Sequence, residues 1–197
     1  MLTKLRPTVR KIIRPIALFF IKIGASPNHV TVTGLFISLM IPILFYYNQG
    51  LLALLFFIIS GLLDAVDGEV ARITGKKTRF GAFLDSTSDR IEDSAYIISL
   101  YMLGVSCLVT SILLISSIII SYTRARAEAL NVKMEGIGII ERAERLIFVF
   151  ISMILLYFDL MTIALPIIYV LIILSIITII QRIIHVYREL SSSSSNQ

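Results

Sequence analysis

Leu51-Leu52-Ala53-Leu54-Leu55-Phe56-Phe57-Ile58-Ile59-Ser60-Gly61-Leu62-Leu63-Asp64-Ala65-Val66-Asp67 is the stretch on which the architecture turns. Thirteen uncharged residues, 51 to 63, run into two carboxylates, and the segment continues to Ile73. A bilayer core needs about 20 apolar residues of helix, so 51–73 reads as a membrane span. Working outward, 29–48, 79–103, 106–129, 139–158 and 162–186 read the same way. Short breaks separate them: Tyr47 to Gly50, the Gly75-Lys76-Lys77 turn, Gly104, Asn131 to Gly138, and Asp159. The composition agrees, because 57% of the 197 residues are hydrophobic and the mean hydropathy of +0.90 excludes an ordinary soluble domain. The single cysteine, Cys107, rules out an intramolecular disulfide and a thiolate metal cage. His29 and His185 lie too far apart for ligand spacing and read as interfacial residues.

The positive charges are one-sided. Lys4, Arg6, Arg10, Lys11, Arg14 and Lys22 precede the first span, and Arg72, Lys76, Lys77 and Arg79 flank the second connection. Arg124, Arg126, Lys133, Arg142 and Arg145 cluster near the fourth connection, and Arg182 and Arg188 close the last span. The other three connections carry no Lys or Arg. Lys and Arg are retained in the cytoplasm, which predicts both termini inside. The expected fold is therefore all-α and integral to the cell membrane, with six transmembrane helices over 26–188. An interfacial amphipathic helix over 1–25 precedes them, where basic residues interleave with Ile12, Ile13, Ile16, Leu18, Phe19, Phe20 and Ile23. The serine-rich end, 189–197, is expected to be a disordered tail. This chemistry predicts membrane lipids as partners, and no nucleic acid.

Spans two and three hold acids that a membrane tolerates only for a reason: Asp64, Asp67, Glu69, Asp85, Asp89, Glu92 and Asp93. Asp64 and Asp67 are three apart and Asp85 and Asp89 four apart, so each pair shares a helix face. Counted from Lys76, Asp67 and Asp85 are each nine residues away, and Asp64 and Asp89 are twelve and thirteen away. At about 1.5 Å of rise per residue, an antiparallel hairpin brings these four to matched heights. Four adjacent carboxylates require compensating cations, and Arg72, five residues after Asp67, is read as one that is not enough alone. Oxygen-only ligands select Mg²⁺ or Mn²⁺, and four carboxylates suit two ions. Spacing alone leaves a proton or cation pathway open as well. Gly68 and Gly81 beside the acids permit either close helix packing or a bulky ligand.

The run Asp64-Ala65-Val66-Asp67-Gly68-Glu69-Val70-Ala71-Arg72, followed after eight residues by Gly81-Ala82-Phe83-Leu84-Asp85-Ser86-Thr87-Ser88-Asp89, resembles the signature of the CDP-alcohol phosphotransferase family. That signature reads D-x-x-D-G-x-x-A-R, a spacer, then G-x-x-x-D-x-x-x-D, and all eight fixed positions match. The resemblance implies that Asp64, Asp67, Asp85 and Asp89 ligate two divalent metals, with Asp89 also the general base. It implies that Asn28, Thr31, Gly68, Arg72, Thr78 and Gly81 hold a CDP-linked lipid donor. A homodimer is implied too, and the charge map places the acids near the cytoplasmic side.

The acceptor alcohol must be chosen by the second half of the chain. Arg124, Arg142 and Arg182 stand at three inner helix ends, and clustered arginines recognise phosphate. This pattern resembles the subgroup that uses inositol phosphate, including the enzymes that make archaetidylinositol phosphate. The expected acceptor is a phosphorylated polyol, inositol 1-phosphate, with glycerol 3-phosphate as the alternative. A transporter of protons or divalent cations would need acids on both sides of the midplane. Spans one, four, five and six carry none centrally, and among the outward connections only Asp159 is acidic.

Overall fold

The computed structural model describes residues 6–194, and side chains from 11 to 191. Lys4, with the rest of 1–5, and residues 195–197 of the expected tail lie outside the described residues. Among the described residues there are seven helices and no strand. They are α1 (Arg6–Lys22), α2 (Pro27–Tyr46), α3 (Gly50–Ile73), α4 (Arg79–Met102), α5 (Cys107–Ala129), α6 (Arg142–Tyr157) and α7 (Met161–Ser194). The helices α2 to α7 thus fall where the six apolar segments were read. At the end of the chain α7 continues to Ser194, so the expected disordered tail is helical over 189–194.

Helix ends follow one rule. Two residues after the last residue of each of α1 to α6 stands a residue with positive φ: Gly24, Asn48, Gly75, Gly104, Asn131 and Asp159. This is the left-handed stop that satisfies a helix's last carbonyls. At α2, Asn48 N donates to Phe45 O at 3.0 Å and Gln49 N to Leu44 O at 2.8 Å. Asp159 N and Leu160 N repeat the pattern at the end of α6, at 3.1 and 2.8 Å.

By length and composition four helices can cross a membrane: α2, α3, α5 and α7 up to Ser191. The other two candidates are more charged or shorter. Helix α4 is 24 residues long but carries Arg79, Asp85, Asp89, Arg90, Glu92 and Asp93, whereas α6 has only 16 residues. Large apolar side chains face outward on every long helix, Phe36, Leu55, Leu108, Ile115, Ile173 and Ile183 among them. In water such surface would be a liability, but against lipid it is the expected exterior. The protein is a membrane protein. Small hydroxyl residues point inward instead: Ser99, Ser152 and Ser175 are buried and donate to carbonyls of their own helices at 2.8 Å. Small buried residues allow close helix approach in lipid, where packing is the main driving force.

The described chain divides into two compact units, one up to Met102 and one from Leu103. In the first, α2 packs against both α3 and α4, and α1 lies against α3. Ile13 and Ala17 of α1 join Val30, Leu63, Val66 and Val70 in one apolar cluster. Away from this cluster α1 leaves Ile12 and Phe19 exposed, as is Ile23 just after it. In the second unit, α7 packs against α5 and α6.

Candidate active site

The site is built in the first unit, where α2 is held in register at its start. Ser26 caps it: His29 N donates to Ser26 Oγ at 3.3 Å, and Ser26 N donates to His29 Nδ1 at 3.4 Å. This capping box gives His29 a local structural role. Thr78 does the same for α4, accepting from Gly81 N at 2.9 Å.

Helices α3 and α4 meet chiefly through side chains, with α2 packed against both. One to two turns beyond the acids, the rings of Phe57 and Tyr96 lie 4.4 Å apart, and Ser60 Oγ and Tyr96 OH share a hydrogen bond of 2.9 Å. The expected hairpin is therefore a wedge with α2 as its third member. Gly34 of α2 makes this possible, because a Cβ there would come to 3.3 Å of Leu63 Cβ and 3.7 Å of Glu92 Oε1. The space left between α3 and α4 is filled by carboxylates.

Carboxylate oxygens of Asp64, Asp67 and Asp85 lie within 4.8 Å of one another, and so do those of Asp64, Asp89 and Glu92. The four aspartates singled out in the sequence are thus brought together, with Asp64 common to both groups. Glu92 is an addition. It was visible as an intramembrane acid, three residues beyond Asp89 on the same face, but the sequence assigned it no role. The donor set is oxygen-only, and its crowding fits a hard divalent cation, which both neutralises and ligates.

The compensating charge differs from the expectation. Arg72 Nη1 pairs with Glu69 Oε2 at 2.5 Å, one helical turn away, and so is committed beside the acid groups. The cation next to the aspartates is Arg90, whose Nη1 lies 3.5 Å from Asp89 Oδ2 and also donates to Ser86 O. Its position directly after Asp89 was the available signal.

A cavity of about 160 Å³ opens on this cluster, with Asp67 and Asp85 in its wall. Asn28, Thr31, Gly68, Thr78 and Gly81 line it, which are five of the six residues expected at the donor. Arg72 is not among the lining residues. Lys76 and Lys77 are, although the sequence showed them only as markers of the inner side. At Gly68 an added Cβ would meet nothing within 4 Å, so its small size serves open space rather than helix packing. At Gly81 a Cβ would come to 3.0 Å of Thr78 Oγ1 and 3.2 Å of Asn28 Oδ1.

The expected acceptor arginines lie in the second unit. Arg182 is buried, and its guanidinium donates to Ile137 O at 3.1 Å and Ile120 O at 2.5 Å. Arg124 is exposed and pairs with Glu128 at 2.8 Å. Arg142 opens α6, half-buried. Arg145, buried one turn further on, stands in the same stretch but was not assigned to the acceptor's phosphate. A broader depression of about 380 Å³ is lined by Arg124, Asn131 and Lys133 with Glu128 and Glu135.

Carboxylates and two lysines thus share one cavity wall in a membrane protein. Residues 25–184 match the CDP-alcohol phosphatidyltransferase family, and the chain belongs to that family. It is an enzyme, a transferase of phospholipid synthesis. It is 38% identical over 191 residues to the archaetidylinositol phosphate synthase of Pyrococcus horikoshii, covering 96% of this chain and 98% of that one. Its fold is similar to that of the phosphatidylinositol phosphate synthase of Mycobacterium tuberculosis, solved with CDP-DAG bound. The TM-score there is 0.78, at 33% identity over 90% of this chain and 94% of that one. The same protein was solved with manganese and citrate, with a TM-score of 0.78 at 33% identity, covering 89% and 88% of the two chains.

Proposed function

We propose that the chain transfers a phosphatidyl-type group, diacylglyceryl- or archaeol-phosphate, from a CDP-linked lipid to a hydroxyl of inositol 1-phosphate, releasing CMP. The observation that carries this reading is the cavity whose wall includes both Asp67 and Asp85. A bound nucleotide diphosphate would lie against the carboxylates. The relatives named for inositol phosphate products support the acceptor, and the archaeal one supports an archaeol donor.

Asp64, Asp67 and Asp85 would hold one divalent cation, and Asp64 with Asp89 and Glu92 a second. Mg²⁺ or Mn²⁺ bound there supplies charge neutralisation and Lewis acidity at the diphosphate. The protein's own residues do the rest. Asn28, Gly68, Thr78 and Gly81 bound the nucleotide, and Gly68 leaves the room it needs. Lys76 and Lys77 offset phosphate charge at the mouth. Asp89 takes the proton from the attacking hydroxyl as general base. The hydroxyl oxygen bonds to the lipid-bearing phosphorus, the bond from that phosphorus to the bridging oxygen breaks, and CMP departs with that oxygen.

Arg124, Arg142 and Arg182 are assigned to the acceptor's phosphate. Arg182 already donates to two carbonyls, but a guanidinium has five N–H groups, so it retains donors for an anion. In the same reading α4 and α6 cross the membrane with the four longer apolar helices, giving six spans. The apolar side of α1 rests at the headgroup level, both termini and the site face the cytoplasm, and the enzyme works as a homodimer. The test is CMP release by purified protein given CDP-archaeol or CDP-diacylglycerol and a panel of alcohols. Inositol 1-phosphate should react, and free inositol and serine should not. Turnover with unphosphorylated acceptors equal to that with inositol 1-phosphate contradicts the assignment. A preference for glycerol 3-phosphate keeps the phosphate clamp and moves the chain to the alternative acceptor.

A further inference from the structure

We propose that Thr31 is a positioning residue for Asp67, holding one carboxylate oxygen so that the other is presented to the cation shared with Asp64 and Asp85. The inference rests on reading the acids as metal ligands. It departs from the role that family resemblance gives Thr31, which is contact with the nucleotide.

Thr31 Oγ1 lies 2.5 Å from Asp67 Oδ2 and 3.1 Å from Pro27 O. A hydroxyl has one proton to donate. The shorter, charge-assisted contact to the carboxylate is the stronger of the two and takes it. Both side chains are buried, Thr31 at 7% and Asp67 at 5% exposure, which limits competition from water for the bond. Thr31 is itself fixed: the Ser26 cap sets the start of α2, and the neighbouring Val30 is locked in the cluster with Leu63, Val66 and Val70 of α3. The carboxylate is therefore tied to a second helix before any cation arrives. Groups that orient a metal ligand in this way typically change metal affinity 10- to 100-fold when removed.

The two roles predict different measurements. Binding of Mn²⁺ alone to the full-length protein in detergent, without donor, is followed by the electron paramagnetic resonance signal of free Mn²⁺. Thr31→Val keeps the shape and removes the donor, and Thr31→Ala removes it while relieving the packing. Each should weaken Mn²⁺ binding about 10- to 100-fold, and Thr31→Ser should restore most of it. In turnover the loss should appear as a higher Mn²⁺ requirement, with the donor KM at saturating Mn²⁺ little changed. Wild-type Mn²⁺ affinity in both Thr31→Val and Thr31→Ala, or an increase confined to donor KM, overturns the proposal. Asp67→Ala serves as the control that separates the two readings. If it binds Mn²⁺ like wild type, the metal site itself is misassigned. If it loses binding while Thr31→Val does not, only the role of Thr31 fails.

Discussion

Asp67 illustrates how much one side chain carries at the residue scale: it belongs to an acid group, lines the donor cavity and accepts from Thr31. Replacing Asp64, Asp67, Asp85 or Asp89 by Ala should abolish transfer and leave a folded membrane protein, as read by CMP release and size-exclusion profile. Asp89→Asn tests the proton. As general base it should lose about 10²- to 10⁴-fold in kcat, with a smaller effect on donor affinity. Equal losses in both would leave Asp89 as a ligand only. Gly68→Ala separates space from packing, because nothing lies within 4 Å of the added Cβ. Thermal stability should be unchanged or improved by up to about 1 kcal/mol, since Ala favours helix over Gly, while donor KM rises. Lower stability with an unchanged KM would return Gly68 to a packing role. The aspartates were legible because carboxylates at three- and four-residue spacing in an apolar run have few structural explanations. Arg90 was passed over, and Lys76 was read only as a marker of the inner side. A basic residue near a span end satisfies the topology rule whatever else it does, so composition hides its second role.

At the scale of elements, helix positions were readable because each break contains a residue that tolerates positive φ, such as Asn48, Gly75 and Asp159. The wedge of α2 against both α3 and α4 was not readable. It depends on Gly34 meeting Leu63, and a single glycine in an apolar helix looks the same whether it packs or not. The arginines divide along similar lines. Arg124 and Glu128 are half-exposed partners one turn apart, a pairing worth about 0–1 kcal/mol. Arg124→Ala should therefore leave thermal stability nearly unchanged while raising the acceptor KM about tenfold or more, the worth of a charge-assisted contact to phosphate. Arg182→Ala removes the donor to Ile120 O and Ile137 O. It should lower stability as well as acceptor affinity, because Ile137 O loses its side-chain donor and Ile120 O is left with Thr123 Oγ1. Thermal unfolding in detergent alongside acceptor titration checks both. If Arg124→Ala unfolds easily and keeps its acceptor KM, it is a structural residue.

At the scale of the whole molecule, the lopsided Lys and Arg predict an orientation, and the helices supply the lengths. Cys107, the single cysteine, is exposed at the start of α5, next to a connection without basic residues. With six spans and both termini inside, a membrane-impermeant maleimide should label Cys107 from outside intact cells. A cysteine placed at Gly75 in a Cys107→Ser background should label only after the membrane is opened. The opposite pattern would invert the topology. Division into two units was not legible, because every segment is comparably apolar and periodicity does not say which helices pack together.

The most direct test of a metal-dependent CDP-lipid transferase is CMP release from CDP-linked lipid and inositol 1-phosphate before chelation, after chelation and after Mg²⁺ or Mn²⁺ is returned. Wild type should stop on chelation and recover when the ion is restored, while Asp64→Ala, which removes the carboxylate common to both acid groups, should remain inactive throughout. Full turnover in metal-free buffer, or recovery of Asp64→Ala to the wild-type rate, would contradict the account.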